Sequence, residues 1–138
     1  MKSKVNIQLR YSDTDQMGVI YHANYLSFFE QGRTKLLKDY GINYYDIEAS
    51  GIIFPVHDIK ITYQKAITID EEITVITNIK KMTDVKIVFN HVIVNDEGIK
   101  KAKGESTIVA VDKKTFKIIK MSKRLQNVYR IKEELLDE

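Results

Sequence analysis

The chain is 138 residues long, enough for one domain that buries a sizeable core. Its 43% apolar and 30% charged residues are the proportions of a folded globular protein, which excludes a disordered or fibrous chain. There is no cysteine, so disulfides, thiolate metal sites and cysteine nucleophiles are excluded, and no apolar run approaches the ~20 residues of a membrane span.

Met1-Lys2-Ser3-Lys4-Val5 shows no apolar leader pattern, so a cytoplasmic location is expected. Val5, Ile7, Leu9 and Tyr11 alternate with Asn6, Gln8 and Arg10, the period of a half-buried strand. Ser12–Gly18 breaks this pattern with polar residues. From about His22 the period becomes helical: Leu26, Phe29, Arg33, Leu36 or Leu37 and Tyr40 recur at three- and four-residue steps, and Tyr25 and Phe28 widen the stripe. Gly32 in the interior costs about 1 kcal/mol against alanine, which implies a packing reason such as a sheet pressing closely there. Gly41 suits the left-handed position that ends a helix.

Asn43–Gly51 reads as a short helical turn or loop, and Pro55 stands where a strand can begin. Ile59, Ile61 and Tyr63 give a second strand, Ile73–Ile79 a third and Val85–Val94 a fourth, with a turn at Met82-Thr83-Asp84. Asn95-Asp96-Glu97-Gly98 is a hairpin signal. A fifth strand runs over about Lys103–Val111, followed by a turn and a short Phe116–Ile119 segment. Ser122 is placed as the N-cap of a terminal helix, with Leu125, Val128 or Tyr129, Lys132 and Leu135 or Leu136 on one face. One strand, one long helix and then four or five strands on short turns predict a single α+β domain, residues 1–138. Its sheet is antiparallel, with the long helix on one face and a C-terminal helix after it.

The net charge is only +3, but it is unevenly spread. From Lys113 to Lys132 every charged residue is basic, including Lys117, Lys120, Lys123, Arg124 and Arg130. Such a run is either a solvated basic face or a landing site for a polyanion, whether nucleotide phosphates, nucleic acid or an acidic partner. His57 and His91 have no ligand spacing between them, and no metal site is expected.

The densest run of reactive side chains is Arg10–Tyr25, between the first strand and the long helix. Its pattern is Tyr11-x-Asp13-Thr14-Asp15-x-x-Gly18-Val19-x-Tyr21-His22-x-Asn24-Tyr25, followed in the helix by Glu30, Arg33 and Thr34. This pattern resembles the hot-dog-fold acyl-CoA thioesterases, in particular the 4-hydroxybenzoyl-CoA thioesterase-like branch that includes the tol-pal-associated enzymes. The resemblance extends from about residue 4 to about residue 130. It implies a hot-dog fold, an antiparallel sheet wrapped around the long central helix. It also implies subunits joined sheet edge to sheet edge as a homodimer, often a homotetramer, with active sites at the subunit interface. Gln16 and Met17 depart from the small residues or proline common in relatives, and Met17 would narrow the acyl pocket.

By this resemblance the function is hydrolysis of a short- or medium-chain or aromatic acyl-CoA, with no cofactor. Asp15 takes the place of the catalytic carboxylate, as nucleophile or as general base on water; by itself it reads equally as a turn cap. Asp13 reads as a turn residue. His22 opens the helix, whose unsatisfied N–H groups suit an oxyanion, and its side chain could orient Asp15 or water. Tyr11 corresponds to a tyrosine near the site and reads equally as a core-edge residue. Gly18 would let backbone approach the substrate, with Val19, Tyr21, Asn24 and Tyr25 also substrate-binding. Lys86, Lys120, Lys123 and Arg124 are candidates for the coenzyme A phosphates, on charge and position alone. The carrier is coenzyme A or an acyl-carrier protein.

Three other readings compete with hydrolysis. A hot-dog dehydratase is disfavoured by the spacing of Asp15 and His22. A non-enzymatic acyl-CoA or acyl-carrier-protein binder has no evident need of the carboxylate. Nucleic-acid binding lacks an accompanying motif.

Overall fold

A computed structural model describes residues 1–137; the predicted domain 1–138 runs one residue further, to Glu138, which lies outside the described residues. The predicted long helix is α1, Tyr25–Asp39. Its buried face is Tyr25, Phe28, Phe29, Gly32, Arg33, Leu36 and Leu37. Leu26, placed on that stripe from its spacing, instead faces outward and is 46% exposed. Beyond α1, Gly41 takes φ +87°. Its N–H reaches Lys38 O and that of Ile42 reaches Leu37 O, which satisfies the last helical carbonyls.

The sheet has five strands: β1 (Lys2–Ile7), β3 (Val56–Tyr63), β4 (Ile73–Met82), β5 (Lys86–Asn95) and β6 (Lys100–Val109). They lie in the order β1-β4-β5-β6-β3, all pairs antiparallel. A helix α2 (Tyr44–Ser50) and a two-strand ribbon, β2 (Ile52–Ile53) with β7 (Val111–Asp112), pack beyond the end of α1. The chain ends in α3, Val128–Asp137.

The face of the sheet toward α1 is read directly from alternation. Ile87, Phe89, His91 and Ile93 of β5 are buried, opposite Met82, Ile79, Thr77 and Val75 of β4 in register. Each wholly buried aromatic or aliphatic side chain, such as Phe29 or Leu36, contributes about 1.5–3 kcal/mol by leaving water. Gly32 confirms the close approach inferred from its position. A Cβ there would lie 2.3 Å from Thr77 Oγ1, so only glycine lets α1 sit this near β4.

A polar chain lies beneath α1. Arg33 Nη1 donates to Ser106 Oγ at 3.0 Å, Ser106 Oγ meets His91 Nε2 at 2.7 Å, and His91 Nδ1 meets Thr77 Oγ1 at 3.0 Å. Phe29 stacks on the His91 ring at 4.3 Å. Burial, and then the Arg33 charge, lower the His91 pKa from its ordinary 6.5 to about 3, so the ring is neutral.

Three predicted elements shift. The fifth strand, expected at about Lys103–Val111, runs over Lys100–Val109, and Val111 pairs instead with Ile53. The first strand, expected at Val5–Tyr11, ends at Ile7 because its partner β4 begins at Ile73, opposite Ile7. Tyr11 instead opens a 3₁₀ turn, Tyr11–Asp13, in which the Asp13 carboxylate accepts the Arg10 N–H at 2.9 Å. Ser122 does not cap the last helix. Its N–H and hydroxyl both bind the Asp84 carboxylate, at 2.9 and 2.6 Å, in a 3₁₀ turn at Met121–Lys123. Val128 and Ile131 then form the buried side of α3, whereas Tyr129 and Leu136 are exposed.

Candidate active site

Asp13–Thr14–Asp15 runs back against Val19–Ile20–Tyr21 as a small hairpin. Asp15 N–H donates to Val19 O at 2.8 Å and Tyr21 N–H to Asp13 O at 2.8 Å, with a bridge between Thr14 and Ile20. A second seam ties this hairpin to the body: Ile20 N–H donates to Ile67 O at 2.8 Å, and Val19 bridges Thr68. Gly18 takes φ +78° at the tip, with nothing within 4 Å of a notional Cβ. Its role within the chain is therefore the left-handed turn, not clearance from a neighbour.

The Asp15 side chain is set by this tip. Its Oδ1 accepts the Met17 N–H at 2.8 Å and the Val19 N–H at 3.4 Å. No hydrogen bond engages Oδ2 among the described residues. The carboxylate therefore caps the turn with one oxygen and presents the other.

The return strand leads straight into a 3₁₀ turn, His22–Asn24, which is continuous with α1. The first N–H groups of a helical segment have no acceptor within it and carry its positive end. Asn24 is held from both sides: its N–H reaches Tyr21 O at 3.0 Å and its Nδ2 reaches Asp13 O at 2.8 Å. The Asp13 carbonyl thus gathers Tyr21 and Asn24, and Asp13 is the scaffold of the loop as well as its turn residue. The His22 ring lies 4.4 Å from that of Tyr21.

The remaining candidates fall in different places. Tyr11 is 83% exposed on its turn, not at the end of a strand as expected, so it makes no strand-edge contact. Tyr25 is 3% exposed and packs against Phe28 and Tyr63, so within the chain it belongs to the core rather than to an open surface. Burial, with the nearby Tyr63 and Glu71, pushes its hydroxyl up to about 12. Lys86, Lys120 and Arg124 are sequence neighbours of Ile87, Met121 and Leu125, which belong to the cluster at the C-terminal end of α1, and Lys123 shares the 3₁₀ turn of Met121. Arg124 is already engaged, with Nη2 on Asp112 Oδ2 at 2.7 Å. The turn amides of Thr115, the Arg124 guanidinium and the Lys114 amide together hold the Asp112 carboxyl at about 2.

One contact escaped the sequence reading. Tyr63, the last residue of β3, donates its hydroxyl to His22 O at 3.0 Å, across 41 residues of chain. An aromatic residue ending an alternating strand was visible in the sequence, but nothing local linked it to the start of a helix.

The chain matches a family model described as the thioesterase-like superfamily over residues 9–129. A Bacillus subtilis protein with the provisional name acyl-CoA thioesterase YneP is 44% identical over 121 residues, 88% of each chain. The acyl-CoA thioester hydrolase YbgC of Escherichia coli O6:H1 is 31% identical over 106 residues, 77% of this chain and 79% of that protein. The crystal structure of a DHNA-CoA thioesterase from Staphylococcus aureus superposes with a TM-score of 0.93 at 32% identity, covering 99% of this chain and 91% of that one. The family model spans most of the chain and includes the hairpin and helix start described above. The chain belongs to the thioesterase-like superfamily and is a thioester hydrolase with the hot-dog fold.

Proposed function

We propose that the chain hydrolyses acyl-CoA thioesters of short or medium aliphatic or aromatic acyl groups, releasing the free acid and coenzyme A. The observation that carries this reading is the Asp15 carboxylate, pinned by Oδ1 with Oδ2 unengaged, on a hairpin whose return strand delivers the amide end of a helix. A fixed carboxylate and a set of N–H donors are what attack on a thioester and charge on its carbonyl oxygen require.

As nucleophile, Asp15 Oδ2 bonds to the carbonyl carbon and the oxygen charge faces the amides at His22. The C–S bond then breaks and the coenzyme A thiolate leaves, taking a proton from solvent. Water splits the resulting anhydride, releasing the acid and restoring the carboxylate. As general base, Asp15 instead takes a proton from the attacking water and returns it to the thiolate. Rapid-quench mass spectrometry of one turnover separates these routes: a transient acyl adduct on Asp15 identifies the first, and none identifies the second.

The functional reading is tested with a panel of acyl-CoAs, following thiol release with a disulfide reagent. Turnover by the wild type, lost in Asp15→Ala with the fold retained, is expected. Undiminished turnover in the variant removes Asp15 from the mechanism, and binding without turnover of any thioester leaves a non-catalytic acyl-CoA or acyl-carrier-protein binder.

The assembly belongs to the same proposal. β3 is an edge strand, unpaired on its outer side among the described residues, and it ends at Tyr63 against His22. Pairing of two β3 edges would form a homodimer and bring a second subunit to each site, with a homotetramer as its further association. Sedimentation equilibrium of the wild type and of a β3 variant, Ile61→Pro, measures this; a wild-type monomer at micromolar concentration rejects it.

A further inference from the structure

We infer that Tyr63 is a positioning residue for the oxyanion site, holding and polarising the first peptide of the helical segment from the edge of the sheet; this rests on the thioesterase reading above. The Tyr63 hydroxyl donates to His22 O at 3.0 Å. That carbonyl and the Ala23 N–H belong to one peptide group. A hydrogen bond accepted by the carbonyl draws charge through the amide and makes its N–H a stronger donor. It also fixes the plane of the peptide, and so the direction in which the N–H points.

The ring is braced for this task. It meets Tyr25 edge-on at 4.8 Å and His22 edge-on at 6.3 Å, and Tyr25 is itself buried. The backbone of Tyr63 is paired with Ala102 of β6, so the hydroxyl is carried by the sheet and not by the hairpin. Asp15 and the helix start are therefore positioned by different supports: the hairpin aims the carboxylate, and the sheet edge aims the amides. Burial raises the Tyr63 hydroxyl above its ordinary value, which keeps it a donor throughout the neutral range.

The test is Tyr63→Phe, which keeps the ring and deletes only the donor. Removing an oxyanion donor outright costs ~10²–10³-fold in kcat, and weakening one through its peptide should cost on the order of tenfold. The expected result is that loss in kcat with KM unchanged within about twofold, an unaltered Tm, and an upfield shift of the Ala23 amide nitrogen and His22 carbonyl carbon in NMR spectra. Unchanged kcat in an enzyme whose Asp15→Ala variant is inactive overturns the inference and leaves the thioesterase reading intact. A fall in Tm with kcat unchanged assigns Tyr63 to structure alone and also overturns it. If the wild type turns over no thioester, the thioesterase reading fails separately. The NMR shifts then decide whether Tyr63 polarises this peptide: shifted resonances support the hold on the helix start, and unshifted ones reject it.

Discussion

At the C-terminal end of α1, Leu36, Leu37 and Tyr40 enter one apolar cluster with Ile52, Phe89, Met121, Val128 and Ile131, closed by α2 and α3. At the N-terminal end a second cluster, built on Ile20, Tyr25, Phe28, Phe29 and Ile67, stops short of the surface. Above it the last layer is polar and held by single hydrogen bonds: Asp13 O to Tyr21 and Asn24, Asp15 Oδ1 to Met17 and Val19, and Tyr63 to His22. Apolar burial depends on area and tolerates small shifts, whereas these bonds depend on direction. One helix thus separates the part of the molecule that keeps it folded from the part that aims reactive groups.

The widest break in this comparison is expected from a crossed pair of substitutions. Asp15→Asn should lower kcat by on the order of 10³-fold or more while Tm stays nearly constant. Leu36→Ala, at a wholly buried position, should cost about 2–5 kcal/mol and lower Tm by ~10 °C. Activity per folded molecule should survive in Leu36→Ala, and calorimetry beside initial rates reads both. If Asp15→Asn unfolded the protein, or Leu36→Ala lost kcat, the two ends would not be separable.

His91 lies between the clusters, stacked on Phe29 from one and near Phe89 from the other. Its pKa is depressed in the folded state, so the unfolded chain binds the proton more readily. The stability it contributes is complete above its ordinary 6.5 and is lost as pH falls from there toward about 3. Between 6.5 and the ordinary Glu value of 4.5, few carboxylates titrate. In that window stability should fall by about 1.4 kcal/mol per pH unit, and His91→Asn should flatten the slope. Denaturant midpoints measured across it give the slope directly, and equal slopes in the two proteins would remove His91 as the source.

Gly32→Ala asks the same question at close range. The added methyl meets Thr77 Oγ1 and Val75 Cγ1, which costs about 1–3 kcal/mol if α1 must lift from β4. A Tm unchanged in thermal melts would mean that the helix has slack there. The smallest effect is expected of Lys123→Glu, on the exposed side of the far end. It should leave stability within about 0.5 kcal/mol and weaken inhibition by coenzyme A. Unchanged inhibition removes Lys123 from any phosphate contact.

What could be read in advance follows the range of each interaction. The stripe of α1 apart from Leu26, the Gly41 stop and the Asn95–Gly98 hairpin are short-range patterns, and each appears where the residues indicated. The site hairpin was legible as a concentration of reactive residues in a recognisable order. The misplacements involve distant partners. β1 ends where β4 begins, and Ser122 answers to Asp84, 38 residues away. The link from Tyr63 to His22 was hidden for the same reason. The basic run was legible as charge but not as location, since its position depends on how α3 and the β2–β7 ribbon close the far end of α1.

The polar chain under α1 has one fixed donor. A guanidinium only donates, so Arg33 occupies one lone pair of Ser106, and the serine meets His91 Nε2 with its proton or its second lone pair. The neutral ring carries its one proton on Nδ1, given to Thr77, or on Nε2, given to Ser106, and the two hydroxyls take the complementary role in each case. Either way each ring nitrogen has a hydroxyl partner, and the chain runs from α1 through β6 and β5 to β4. A second proton would make both ring nitrogens donors, and burial, with the Arg33 charge, withholds it down to about pH 3. Across the neutral range both hydroxyls stay engaged by an uncharged ring, and the helix that carries the site rests on a support whose histidine takes up no proton.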